Sequence, residues 1–178
     1  MNQPNFSLLF SGQQIAERVK ELALQIDEDY QGRELVMVAI LKGSFLFVAD
    51  LVRAVQTPTI VDFMRLASYG SGICSSGIVE IRKDLEIDIK GRDVLVVEDI
   101  IDTGQTLETL REKLLSRQPA SLKVCALIDK TGSRSGKTPI DYVGFSMEKG
   151  FIIGYGLDLD ERYRDLPDIH LLDPNGIS

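Results

Sequence analysis

Val94-Leu95-Val96-Val97-Glu98-Asp99-Ile100-Ile101-Asp102-Thr103-Gly104-Gln105-Thr106-Leu107 is the stretch on which the fold turns. Four apolar, mostly β-branched residues mark a short buried strand. The run then becomes acidic at Glu98 and Asp99, and Asp102 to Thr106 leads into a helical pattern. In an open α/β sheet, ligands sit beyond the carboxyl ends of the strands, so a functional loop is expected after Val97. A backbone turning tightly at Gly104 can aim several N–H groups into one concavity, and the hydroxyls of Thr103 and Thr106 add donors. The positive end of the following helix dipole favours a dianion there, so a monophosphate is held without Lys or Arg. Glu98 and Asp99 can accept from sugar hydroxyls or bind a hard divalent cation through oxygen, as Mg²⁺ requires. Asp102, between these two functions, is placed to exchange a proton with a substrate nitrogen. An ordinary turn with solvated acids is the bland alternative, but three acids and two threonines around one glycine exceed what a turn needs.

The remaining chain supplies a consistent frame. At 178 residues it fits one domain, residues 1–178, with enough apolar residues (44%) to bury a core without staples. Twenty basic against 27 acidic residues give a net charge of −7, which opposes non-specific binding to nucleic acid or anionic lipid and favours small-molecule partners. Two cysteines, Cys74 and Cys125, make no disulfide framework, and the one histidine, His170, with no cysteine cluster excludes a conventional zinc site. No run approaches the about 20 apolar residues that span a bilayer, and no leader pattern opens the chain, so a cytoplasmic protein is expected.

In chain order, Ser11-Gly12-Gln13-Gln14 reads as a capping box before a helix with apolar spacing at Ile15, Val19, Leu22, Ala23 and Ile26. Leu35 to Leu41 is continuously apolar, as strands of a parallel sheet are, and breaks at Lys42-Gly43-Ser44 before a second helix. Thr59 to Leu66 has a mixed pattern that suits a sheet margin. The glycine- and serine-rich run Ala67 to Gly77 is a mobile loop, either a linker or a lid, and Ile78 to Arg82 returns as an exposed strand. Leu107, Leu110, Leu114 and Leu115 mark one helical face, and Leu122 to Asp129 is another buried strand.

Thr131-Gly132-Ser133-Arg134-Ser135-Gly136-Lys137-Thr138 comes close to a nucleotide-binding Walker A loop. That motif needs a helix directly after Lys-Thr, whereas Pro139 follows and Ile140 to Phe145 reads as a strand. On pattern alone Phe151 is core, Lys130, Arg162 and Arg164 are surface charges, and His170 is structural.

The run Val97 to Gly104 resembles the signature that binds 5-phosphoribosyl-1-pyrophosphate in type I phosphoribosyltransferases, and is similar to its purine-salvage, hypoxanthine-guanine branch. The resemblance implies an α/β fold: a mostly parallel twisted sheet flanked by helices, a small hood built from the terminal segments, and a mobile lid loop at about 67–77. It implies that Leu41-Lys42-Gly43 holds pyrophosphate, with a cis Leu41–Lys42 peptide, and that Ser68-Tyr69 heads the lid. An activated sugar carbon must be shielded from water, which gives a lid its purpose.

Further expectations follow from the same resemblance. Thr103, Gly104, Gln105 and Thr106 bind the 5′-phosphate, although Gln105 departs from the pattern, in which a Lys is common. Glu98 and Asp99 bind the ribose and, with Asp158, Mg²⁺. Lys130 donates to the 6-oxo group, Phe151 stacks on the base, Ile152 offers backbone groups to the purine edge, and Arg164 binds pyrophosphate. Asp102 handles the proton.

The implied reaction transfers the 5-phosphoribosyl group to a 6-oxopurine, hypoxanthine or guanine, in a homodimer or homotetramer. A nucleotide-sensing RNA-binding regulator on the same fold is the rival from another class, opposed by the net acidity; a xanthine-preferring transferase is the rival among enzymes.

Overall fold

The computed structural model describes residues 5–68, 79–136 and 138–173. The elements in order are β1 (Phe6–Phe10), α1 (Gly12–Asp29), β2 (Leu35–Leu41), α2 (Phe45–Ala54), β3 (Thr59–Ser68), β4 (Val79–Lys83), β5 (Asp93–Ile101), α3 (Gln105–Leu115), β6 (Ser121–Lys130), β7 (Tyr142–Met147), β8 (Ile152–Ile153) and β9 (Ile169–Leu172). The six-stranded sheet runs β4-β3-β2-β5-β6-β7, and every pairing is parallel except β3 with β4. A second, antiparallel sheet, β1-β9-β8, gathers the two terminal regions into the expected hood.

Alternation along the strands explains the layers. Side chains point to opposite faces in turn, so Met37, Ala39, Leu95 and Val97 pack under α1 and α2, while Val36, Val38, Val94 and Val96 meet Leu107, Leu110 and Leu114 of α3. The first helix starts as its sequence dictates. Ser11 accepts from the Gln14 N–H, and the Gln14 side chain accepts from the Ser11 N–H.

Three sequence expectations are corrected. β3 is not at the margin, because the antiparallel β4 covers it. Leu115 is 44% exposed, since it lies about 100° around the helix from Leu114, which keeps the buried face with Leu107 and Leu110. The strand after Pro139 begins at Tyr142, not Ile140. Among the described residues no helix follows the Walker-like run, as its proline predicts.

Asp62, buried in β3, ties the sheet to the loop before the central strand. Its Oδ1 accepts from the Phe63 N–H at 2.7 Å, and its Oδ2 from the N–H groups of Glu86 (2.7 Å) and Ile87 (3.1 Å). Burial pushes its carboxyl up, but these three donors and the Lys83 charge together hold it below its ordinary value of 3.8. A depressed folded-state value stabilises the fold above the unfolded-state value and loses that stability as pH falls through the folded one. Asp62→Asn should therefore cost about 1–3 kcal/mol at pH 7. The gap from the wild type in urea melts should narrow as the pH is taken below 3.8.

Candidate active site

Strand order reverses between β2 and β5: the chain crosses from β2 to β3 on one side, and β5 then pairs on the other. Ligands of open α/β sheets bind outside the carboxyl ends at such a reversal. There the Asp102–Thr106 loop and the Lys42-Gly43 loop emerge side by side. A Cβ built on Gly43 would stand 1.7 Å from Asp99 Oδ2, so only glycine lets the first loop lie on that carboxylate. A cavity of about 260 Å³ opens here, lined among others by Ile40, Glu98, Asp102, Thr103, Gly104 and Thr106.

The central strand is longer than its apolar core suggests. β5 runs to Ile101, so Glu98 and Asp99 belong to the strand and the loop begins at Asp102, not after Val97. Adjacent strand residues point to opposite faces. Glu98 accordingly shares the α3 face with Val96 and lines the cavity, while Asp99 turns toward Gly43. Burial pushes the Glu98 carboxyl well above the usual range, and the Asp99 charge adds to this. Burial also pushes Asp99 up to about 6; backbone N–H groups and Arg164 offset part of that rise, and Asp158 adds to it.

The phosphate-sized loop has the expected form. Gly104 sits at φ +82°, the left-handed region that suits glycine, and caps α3, where the Glu108 N–H donates to its carbonyl at 3.0 Å. Thr103, Gln105 and Thr106 are exposed around it, and buried Leu107 roots the helix behind them. Asp102 accepts from Lys130 Nζ at 3.0 Å, which brings the candidate proton carrier and the candidate base-recognising cation together. Phe151 is 49% exposed and so is not core, while Ile152 beside it is buried in β8.

On the other side of the crevice the Leu41–Lys42 peptide is cis. Arg164 ion-pairs with Asp158 at 2.9 Å and donates to the Gly156 carbonyl at 2.7 Å. Sequence reading missed Glu161, whose two oxygens accept from Lys42 Nζ (2.8 Å) and Arg164 Nη2 (3.0 Å). It lies in an irregular turn at φ +63°, where no periodicity marks it.

Glu98, Asp99 and Asp158 do not form a ready cage: among the described residues no group of three acids, His or Cys could hold a metal. Ser68 is the last residue of β3, and Tyr69 with most of the expected lid lies outside the described residues. His170 is structural, edge-on to Phe6 at 4.9 Å between ring centres. No helix among the described residues is long and apolar enough to cross a membrane.

Comparison with known proteins agrees with this geometry. Residues 7–160 match the model of the phosphoribosyl transferase domain. That is the class which the fold and the paired strand-end loops define. The chain is 50% identical over 174 residues to the hypoxanthine-guanine phosphoribosyltransferase of Mycobacterium tuberculosis, covering 94% of this chain and 86% of that one. It is 51% identical over 156 residues to the hypoxanthine phosphoribosyltransferase of Salmonella typhimurium, covering 86% and 88%. The crystal structure of a Staphylococcus aureus hypoxanthine phosphoribosyltransferase superposes with a TM-score of 0.93 at 43% identity, covering 97% of this chain and 94% of that one. The chain belongs to the hypoxanthine-guanine phosphoribosyltransferase family.

Gly43→Ala should drive the Asp99 carboxylate from its place while leaving the sheet intact. Misplacement of a catalytic constellation by about 1 Å can cost about 10²-fold, so kcat/KM for phosphoribosyl transfer should fall by that order in steady-state assays, with the melting temperature little changed.

Proposed function

We propose that this enzyme transfers the 5-phosphoribosyl group of 5-phosphoribosyl-1-pyrophosphate to N9 of hypoxanthine or guanine, giving IMP or GMP and pyrophosphate. The observation that carries this reading is the cavity at the end of β5, where a glycine-hinged loop with two threonines meets a buried carboxyl and an Asp–Lys pair. The whole chain, residues 1–178, is taken as one transferase unit.

In this reading Thr103, Gly104, Gln105 and Thr106 hold the 5′-phosphate through N–H and hydroxyl donors. Glu98 and Asp99 accept from the ribose hydroxyls. Leu41, Lys42 and Gly43, with Arg164, hold the pyrophosphate end. Phe151, half exposed, stacks on the purine, Ile152 presents backbone groups to its edge, and Lys130 donates to the 6-oxo group, which an amino group could not accept. Asp102 takes or gives the proton at N7, and its contact with Lys130 keeps it oriented toward the base.

Mg²⁺ fits the same crevice. Asp99 and Asp158 lie close enough to influence one another, and both offer only hard oxygen donors. Fewer than three grouped carboxylates suit an ion that is usually bound through one or two carboxylates and substrate phosphates. We assign Asp99 and Asp158 to it, with Glu98 beside them; when bound, it stabilises charge on the departing pyrophosphate.

We also assign a cytoplasmic location, supported by the buried, unpaired thiol of Cys125. Assembly as a homodimer or homotetramer is supported by the exposed apolar side chains of Leu8, Leu24 and Phe45.

Competition among hypoxanthine, guanine, xanthine and adenine tests the reading. The first two should be turned over and adenine should not; turnover of adenine would refute the role of Lys130. Asp102→Ala should lower kcat by about 10²–10⁴-fold, the usual contribution of a general acid–base group, while GMP binding stays measurable by calorimetry.

A further inference from the structure

The Walker-like run binds no nucleotide in the reading above, yet its residues 134–136 pack against the phosphate loop. The Thr103 carbonyl accepts from the Ser135 N–H at 3.2 Å and the Gly136 N–H at 3.0 Å, with the Ser135 hydroxyl at 3.4 Å. A Cβ on Gly136 would stand 3.2 Å from both the Cα and the carbonyl carbon of Gly104, so the two backbones touch. Arg134 anchors this contact from below. Its Nη1 meets Asp129 Oδ2 at 3.3 Å, and its Nη2 donates to the Thr138 carbonyl. Asp129 is only 6% exposed, and its other oxygen, Oδ1, is buried without a hydrogen-bond donor. A buried carboxylate with one cationic partner holds that partner firmly, because separation would leave the charge unpaired.

The peptide bond is planar and trans, so its C=O and N–H point in opposite directions. Fixing the Thr103 carbonyl toward residues 135 and 136 therefore turns the Gly104 N–H the other way. We propose that residues 131–136, anchored by the Asp129–Arg134 pair, are a brace that aims the Gly104 N–H at the 5′-phosphate, with Arg134 a positioning residue that does not touch the ligand. This rests on the phosphate-loop assignment made under Proposed function. It also gives the Walker-like spelling a different cause: the small residues Gly132, Ser135 and Gly136 let one loop lie flat on others. A Cβ on Gly132 would reach 2.4 Å from the Glu148 carbonyl, so that loop is close-packed at both ends.

The test compares inhibition by GMP with inhibition by guanosine, which lacks only the phosphate. The ratio of the two inhibition constants reads the grip on the phosphate, and general damage to the fold would move both constants together. Three variants carry the test, Arg134→Leu removing the charge altogether. Arg134→Lys keeps the charge but loses the planar fork that bridges two acceptors. Gly136→Ala changes no charge and pushes on Gly104 directly.

Weakening one hydrogen bond to the charged phosphate should lower the ratio by about tenfold in each variant. A large wild-type ratio retained by all three variants would overturn the brace alone. A ratio retained by Arg134→Lys but lost on Arg134→Leu, with Gly136→Ala unaffected, would make Arg134 a direct charge on the phosphate and also overturn it. A wild-type ratio near one would overturn the phosphate-loop assignment and the brace with it.

Discussion

The parallel register of β2 on β5 is the constraint from which the site follows. Leu35 pairs with Asp93 and Ala39 with Val97. Continued to the strand ends, that register sets Leu41 level with Asp99. The loops that leave the two strands must then share one crevice. Gly43 allows them to touch, and Gly156 lets the segment after β8 close on Gly43, its missing Cβ being 2.0 Å from the Gly43 carbonyl. Parallel strands cannot be joined by a tight hairpin; β2 reaches β3 through α2 and β5 reaches β6 through α3, and these crossovers supply cover for the sheet and the positive helix end at Gln105. One pairing choice thus fixes the fold's layers and the position of its chemistry.

The site concentrates features that would destabilise an ordinary domain. Glu98 is buried and pushed toward its neutral form, and Asp99 is raised with it. Lys42, Arg164, Asp158 and Glu161 hold one another in a chain of ion pairs at the opposite lip. Exposed pairs of this kind add little stability. Their value lies in keeping cations and carboxylates at fixed places where an anionic ligand could exchange partners with them. Perturbed carboxyls in a crevice at a strand end mark function more than stability.

Much of this was legible in the chain. The unbroken apolar run Leu35 to Leu41 became β2 with those bounds, and the Ser11–Gln14 box opens α1 where it should. The motif residues of the strand-end loop cluster as expected, because phosphate binding needs only local features: a glycine, hydroxyls and a helix start. The extent of β5 was not legible. Glu98 and Asp99 break its apolar pattern, and among the described residues neither has the set of backbone donors from a neighbouring loop that explains a buried acid such as Asp62 in β3, so the pattern alone ends the strand early. Leu115 was misplaced because a leucine at the end of a helix satisfies the periodicity without reaching the sheet. The Glu161–Lys42 pair and the contact of Ser135 and Gly136 with Thr103 join segments distant in sequence, which no spacing rule encodes.

The central claim is that an uncharged backbone turn grips the sugar phosphate. The most direct measurement is a crystal structure of the protein with GMP bound. The account predicts the 5′-phosphate seated against the N–H groups and hydroxyls of Thr103 through Thr106, with the purine against Phe151. A phosphate lodged instead at Lys42 and Arg164, or in the Walker-like run beyond Lys130, would contradict it.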